Sequence, residues 1–354
     1  MKEFKNVKNI LVRVPNWIGD AVMSMPALDA LRRLYPKARI TVLCKPIVKD
    51  IYSSSPSTDE VLVYDSRGVH AGFFGKLRLA RELKKNSFDM AVLFQNAFEA
   101  AWISYLAGIP IRIGYARDLR RALLTSAISF VGEITRVHQV YYYLNIIKAL
   151  GGPELNYDKK PLPNIKPTES DMARAREILE EVGMSDVTSF VGVAPGASFG
   201  PAKKWGSARF AEAAEKVCEE LKATALIFGG PSDARDAKEV AEGLKVRHLN
   251  LASRTTLGEF IALTSMTKIF LTNDSGTMHV AAALGVPTVA VFGSTEPRLT
   301  SPLGNVTRTI QSNLDCSPCF KRECLHGHYE CMSAVTVDDV VASAMKLLEG
   351  GQDG

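Results

Sequence analysis

Several large classes are excluded by what the sequence lacks. No apolar run approaches the ~20 residues that carry a helix across a bilayer. Cysteine is scarce, six in 354 residues, which excludes a small disulfide-built scaffold. The start, residues 1–9, is polar and basic, and the apolar stretch after it is too short for a secretory signal, so the expectation is a cytoplasmic chain. There is no G-x-G-x-x-G dinucleotide fingerprint and no G-x-x-x-x-G-K-[ST] phosphate loop. No internal repeat or low-complexity tract occurs. No block of Lys and Arg is long enough to be a nucleic-acid tail, so no nucleic-acid partner is expected.

What is present reads as an ordinary globular protein, 46% hydrophobic and 23% charged. At ~100–200 residues per domain the length implies two domains. The net charge of +5 conceals an asymmetry: residues 1–160 hold 24 Lys/Arg against 14 Asp/Glu, and residues 161–354 hold 19 against 24. A basic first half suits an anionic partner, such as a phosphorylated substrate or an anionic membrane surface.

Hydrophobic periodicity alternates between strand and helix. Residues 9–14, 39–43, 61–64, 90–94 and 112–114 read as strands, and 21–35 as a helix carrying Val22, Met25, Leu28, Leu31 and Leu34 at helical spacing. Residues 151–167 break the pattern with two glycines and four prolines, and read as a linker. The alternation then resumes: helices over 171–181, 207–221, 257–263 and 278–284, strands over 189–194, 225–228, 268–271 and 288–292. A last helix is expected over 336–348, capped by Thr336. The fold class is α/β, two consecutive parallel-sheet domains, the first over 1–160 and the second over 161–335. Ligands in such sheets sit beyond the carboxyl ends of the strands, so the loops there are the places to look.

Three of those loops carry suitable chemistry. Residues 15–20, P-N-W-I-G-D, follow the first strand and end on Asp20, which reads either as a helix-terminal carboxylate or as a general base facing a cleft. Residues 195–205, P-G-A-S-F-G-P-A-K-K-W, offer small residues with free backbone N–H groups, the Ser198 hydroxyl, and Lys203 and Lys204, a set suited to a diphosphate. Residues 272–279, T-N-D-S-G-T-M-H, place Asp274, Ser275, Gly276 and Thr277 at a helix N-terminus, where unpaired N–H groups and the dipole favour an anion, with His279 one turn further on.

Two clusters remain. Arg112, Arg117, Arg120 and Arg121, followed by Arg136, read either as a solvated face or as an acceptor site gripping phosphates or carboxylates. Cys316, Cys319, Cys324 and Cys331 fall within sixteen residues. A C-x2-C pair followed by C-x6-C is compatible with zinc, but the second pair is wider than a usual zinc knuckle. Reduced structural thiols are the favoured reading; a zinc site and a disulfide stay open.

R-V-P-N-W-I-G-D-A-V-M-S-M-P-A-L near the start, A-P-G-A-S-F-G-P-A-K-K-W, N-D-S-G-T-M-H-V-A-A-A-L-G-V-P and the tail C-S-P-C-F-K-R-E-C-L-H-G-H together resemble the heptosyltransferases of glycosyltransferase family 9, in order, over residues 11 to about 332. The resemblance implies a GT-B fold, two Rossmann-like domains facing a cleft, the first holding the acceptor and the second an ADP-sugar, with the final helix returning to the first domain. It implies that Asp20 is the catalytic base and that Lys203, with Lys204 its rival, contacts the donor diphosphate. Asp274, Ser275, Gly276 and His279 match the D-[ST]-G-x-x-H donor pattern, Ser198 matches a phosphate-binding hydroxyl, and Asp233 matches an acid near the ribose.

The reaction so implied is inverting transfer of a heptose from ADP-heptose to the first inner-core heptose of the lipopolysaccharide precursor, on the inner face of the inner membrane. Because side chains and a helix terminus would stabilise the leaving diphosphate, no cofactor or metal is expected. The alternatives are another nucleotide sugar, or a non-catalytic nucleotide-sugar-binding module.

Overall fold

Short runs of Val, Ile and Leu that alternate with amphipathic segments cannot cover both of their faces alone, and here they are buried between helices. The computed structural model describes residues 4, 6–130 and 132–350; Met1, Lys2, Glu3 and Lys5 of the polar start lie outside the described residues. The chain divides into two units, Met1–Asn164 and Ile165–Gly354, so the boundary falls inside the expected linker.

The first unit runs β1 (Asn9–Arg13), α1 (Ile18–Leu34), β2 (Arg39–Cys44), α2 (Lys49–Ser53), β3 (Glu60–Val63), α3 (Gly72–Lys85), β4 (Met90–Leu93), α4 (Phe98–Leu106), β5 (Ile111–Tyr115), β6 (Ser126–Ile128) and α5 (Gln139–Ala149). Its six strands are parallel in the order β3-β2-β1-β4-β5-β6. The central strands read as unbroken apolar runs because both faces are covered, as parallel sheets require. Helix α1 is buried from Ala21 to Leu28, packed on the sheet and α5.

The second unit runs α6 (Glu169–Glu181), β7 (Phe190–Ala194), α7 (Ser207–Leu221), β8 (Thr224–Ile227), α8 (Ala234–Gly243), β9 (His248–Asn250), α9 (Leu257–Ser265), β10 (Thr267–Asn273), α10 (Gly276–Ala283), β11 (Thr288–Phe292), α11 (Pro297–Thr300), β12 (Thr307–Gln311), α12 (Glu330–Ser333) and α13 (Val337–Gly350). Its strands are parallel in the order β12-β11-β10-β7-β8-β9. Numbered within its own unit, each sheet has the order 3-2-1-4-5-6. The strand order therefore reverses between β1 and β4 in one unit and between β7 and β10 in the other, and these switch points are where such sheets bind ligands.

Where the resemblance implies a final helix on the first domain, α13 packs within the second unit, on α7 and against β11 and β12, and Val340 and Ala344 join the core formed by Val289, Val291 and Val217. An apolar stripe this well matched to an open sheet face docks where it can be buried next in the chain. Among the described residues no helix is long and apolar enough to cross a membrane.

Candidate functional site

At the first switch point the loop after β1 is held by a buried arginine. Arg13, 3% exposed, donates to the Val14 carbonyl at 2.7 Å and to Asn16 Oδ1 at 3.0 Å. Burial outweighs its neighbours and brings its pKa down to about 10. The loop then turns into α1, whose N-cap is Trp17. Asp20 lies in the first helical turn and is not the cap. It is half-buried, and its Oδ1 accepts a hydrogen bond at 3.1 Å from the hydroxyl of Tyr143 on α5. Burial, and then the Asp20 charge, push the Tyr143 hydroxyl well above its usual pKa, so it acts as a fixed donor. Tyr52, fully buried on α2, fixes the same turn through Ser24 Oγ at 2.9 Å and the Ala21 carbonyl at 3.3 Å.

The expected arginine site separates into two groups. Arg120 is fully buried and donates to the carbonyls of Tyr115 and Gln95 and to Asn96 Oδ1. Arg112 donates to the carbonyls of Leu123 and Ile109. Arg120 thus ties together the loops after β4 and β5, and Arg112 ties the turn before β5 to the segment after it, so where an acceptor site was expected both guanidinium groups are engaged by main-chain carbonyls. Arg117, Arg121 and Arg136 are exposed, and Arg117 lies over the Phe130 ring at 4.3 Å.

At the second switch point, Asn273 at the end of β10 is fully buried and joins two loops. It accepts from the Trp205 backbone N–H at 3.0 Å and donates to the Pro195 carbonyl at 2.6 Å. This clasp brings residues 195–205 beside the N-terminus of α10. There Lys203 Nζ lies 2.5 Å from Asp274 Oδ2, which also accepts from Thr295 Oγ1 at 2.5 Å. The Ser275 and Thr277 hydroxyls lie 2.6 Å apart, and Thr272 Oγ1 is 3.0 Å from Thr277 Oγ1. Gly276 opens α10, and His279, 4% exposed, sits in its second turn.

Lys204 points elsewhere, to Asp236 Oδ2 on α8 at 2.6 Å, which separates it from its rival Lys203. Asp233 accepts from the Gly230 N–H at 3.0 Å and stands so close to Gly196 that any side chain at 196 would meet its carboxylate at 2.2 Å. Ser198 is exposed. Gly196–Gly200 also spells G-x-S-x-G, but a single 3-10 turn at Pro201–Lys203 follows it, not the helix of a nucleophile elbow.

The cysteine-rich tail packs on this same loop. Ala202 N–H donates to the Arg322 carbonyl at 3.0 Å, and Phe320 N–H to the Ser294 carbonyl at 2.7 Å. A side chain at Gly200 (φ +152°) would strike the Arg322 carbonyl at 2.5 Å, so the approach requires glycine there. The Phe199 ring carries Lys203 Nζ 4.8 Å from its centre and the Arg322 guanidinium 5.4 Å from it. All six cysteines are free thiols, and among the described residues no three His, Cys, Asp or Glu side chains gather closely enough to hold a metal ion. Backbone N–H groups, Tyr329 first and then His326, Gly327 and His328, draw the Cys324 thiol below its usual pKa.

The sequence profile described as "Glycosyltransferase family 9 (heptosyltransferase)" matches residues 76–330, well over half of the chain. The chain belongs to glycosyltransferase family 9. It is an enzyme, a transferase of the heptosyltransferase class. The transferase is 29% identical to "Lipopolysaccharide heptosyltransferase 2" of Escherichia coli over 346 residues, 96% of this chain and 98% of that protein. It is 28% identical to "Lipooligosaccharide heptosyltransferase 2" of Haemophilus ducreyi, over 96% of this chain and 99% of that one. The solved E. coli ADP-heptose lps heptosyltransferase II superposes with a TM-score of 0.81 at 27% identity, over 97% and 99% of the two chains. The transferase therefore has the GT-B fold.

Some residues of the two switch points were not marked by the sequence reading. Arg13 and Asn273 lie in or beside the quoted motifs, so proximity was the available signal. Tyr143 had none, since α5 is remote from β1 in sequence. Arg322 was legible only as part of the cysteine-rich tail.

Proposed function

We propose that the transferase moves a heptose from ADP-heptose to the first heptose of a lipopolysaccharide inner-core precursor, with inversion at the anomeric carbon. The observation that carries this reading is the meeting of Lys203, held by Asp274, with the α10 N-terminus at the second switch point, where a cation and backbone N–H donors suited to a diphosphate stand together. Asp20 takes the proton of the acceptor hydroxyl. The freed oxygen pair forms the new bond to the anomeric carbon from the face opposite the diphosphate, and the old carbon–oxygen bond breaks with its pair going to ADP. Lys203, Arg322 and the N–H groups at Ser275, Gly276 and Thr277 stabilise the charge that develops on the leaving diphosphate. Asp274 holds the lysine in position beforehand, so little reorganisation remains for the reaction itself.

Ser198, Asp233 and His279 complete the donor side in this reading, and the exposed Arg117, Arg121 and Arg136 suit the phosphates of an acidic acceptor. No metal or cofactor is called for, since side-chain cations stand where the leaving charge appears. The basic first unit suits an anionic membrane surface at the cytoplasmic face of the inner membrane. The test is incubation with ADP-heptose and a lipopolysaccharide truncated after its first heptose. ADP release with one heptose added to the acceptor, in the presence of a chelator, is the expected outcome. Transfer from another nucleotide sugar in preference to ADP-heptose, or nucleotide binding with no transfer, would replace the proposal.

A further inference from the structure

The first unit carries an exposed apolar cluster that the transfer reaction does not use. Phe74 is 82% exposed, and Phe73 and Val69 are each 59% exposed. The Phe73 and Phe74 rings meet edge to face at 5.6 Å, and Phe73 lies 5.7 Å from the Trp102 ring on α4. Phe98, 46% exposed, begins α4 next to Glu99, and Glu99 is paired with Lys76 of α3 at 2.7 Å. The first turns of α3 and α4 are thus presented together. Each helix follows a strand of the sheet, so the cluster lies at the carboxyl edge, the edge that holds Asp20. The display is fixed by a tight approach, because a side chain at Gly75 would meet the His70 backbone at 2.3 Å.

The surroundings of the cluster are cationic. Near the first turns stand Arg67, Lys76 and Arg78 against Asp65 and Glu99, while Arg81, Lys84 and Lys85 follow along α3 toward its other end. The acids are engaged locally: Glu99 with Lys76, Glu82 with His70 at 3.0 Å, and Asp65 with the backbone N–H of Gly68 at 2.9 Å. Aromatic rings bordered by Lys and Arg fit an anionic bilayer, the rings entering at the level of the headgroups and upper acyl chains while the cations meet phosphate. A second copy of this chain seated on the same patch would instead oppose like charges.

We infer that the first turns of α3 and α4 form a docking surface for an anionic lipid bilayer, with Phe73 and Phe74 as the inserting groups. The inference rests on the proposed function only in that a lipid-anchored acceptor gives the docking its use.

The experiment is flotation of the full chain with vesicles of equimolar phosphatidylglycerol and phosphatidylethanolamine, against vesicles of phosphatidylcholine alone. The protein should float with the anionic vesicles and not with the neutral ones. The double substitution Phe73→Ser/Phe74→Ser should lower partitioning at least about tenfold, which is ~1.4 kcal/mol, with unchanged thermal unfolding. Arg67→Glu/Arg78→Glu should lower it at low salt, and the difference should vanish at high salt. Both variants should keep wild-type turnover on a deacylated, water-soluble acceptor. Undiminished flotation of the Phe73→Ser/Phe74→Ser protein would overturn the inference, as would equal binding to neutral vesicles. So would a wild-type dimer that the same substitutions dissociate. Failure of the wild type to transfer heptose to the soluble acceptor would overturn the proposed function and leave the flotation result standing.

Discussion

The two switch points share a strand order but are built from different materials. In the first, the groups that hold the loops are buried, and their partners are mostly main-chain carbonyls. Arg13 grips Val14, Arg120 grips Tyr115 and Gln95, and Tyr52 and Tyr143 fix the first turns of α1. In the second, the groups are ion pairs and clustered hydroxyls: Lys203 with Asp274, Lys204 with Asp236, and Thr272, Ser275 and Thr277 with one another. The difference follows from the tasks proposed for each. A proton acceptor needs one carboxylate held still, and buried tyrosines with arginines already committed to carbonyls provide that. A diphosphate needs several cations and N–H donors converging on one place, and those must be balanced by acids until it arrives.

The contrast can be broken most directly at Asp20. Replacing it with Asn should lower kcat by ~10²–10⁴-fold, the span of general-base catalysis, while calorimetry shows ADP bound as before. Near-normal turnover would remove Asp20 from the reaction. On the other side, Lys203→Ala should cut kcat/KM for the donor by ~10²–10³-fold with the acceptor KM unchanged, and Arg322→Ala should act in the same direction with a smaller loss. Equal losses for donor and acceptor would mean that the lysine supports the fold and not the diphosphate.

Smaller effects sharpen the same comparison. Arg120→Met leaves carbonyls and Asn96 without their donor and should lower unfolding stability by about 2–3 kcal/mol, whereas Arg117→Met should change it by less than about 0.5 kcal/mol. Similar melting curves for the two variants would show that Arg120 is not the tie it is taken for. Tyr143→Phe should lower kcat about tenfold. The acceptor KM should stay as it is, because the hydroxyl holds Asp20 and not the substrate. A loss confined to KM would mark Tyr143 as a packing residue only. Smallest of all, an alkylating reagent at neutral pH should label Cys324 ahead of Cys44 and Cys218. Burial pushes both of those thiols up to about 12, while N–H donors draw Cys324 down. Mass spectrometry of the labelled peptides reads the order.

Much of the fold was legible because hydrophobic period is a local property. The strand at Thr288–Phe292 and the helix at Ser207–Leu221 fall on the residues their patterns indicate. Helices α3 and α4 did not register as elements: α3 is basic, with two phenylalanines displayed at its exposed start, and α4 is apolar nearly all round. The strands β6, β9 and β12 are short or half-buried edge elements with little alternation to detect. Two sheets of identical order came from a sequence with no detectable repeat, because strand order depends on which faces are apolar and on right-handed connections, not on particular residues.

The sequence by itself determined the alternation of strands and helices, the division near residue 160, the three loops at strand ends and the family to which they belong. Each of these is written in residues near one another in the chain. Only the tertiary structure decided which of two adjacent lysines faces Asp274, which arginines are already committed to carbonyls, where the last helix packs, and that Tyr143 reaches Asp20 across 123 positions. Those facts depend on burial and on contacts between distant segments, and a side chain's charge says nothing about its partner until the chain has closed around it.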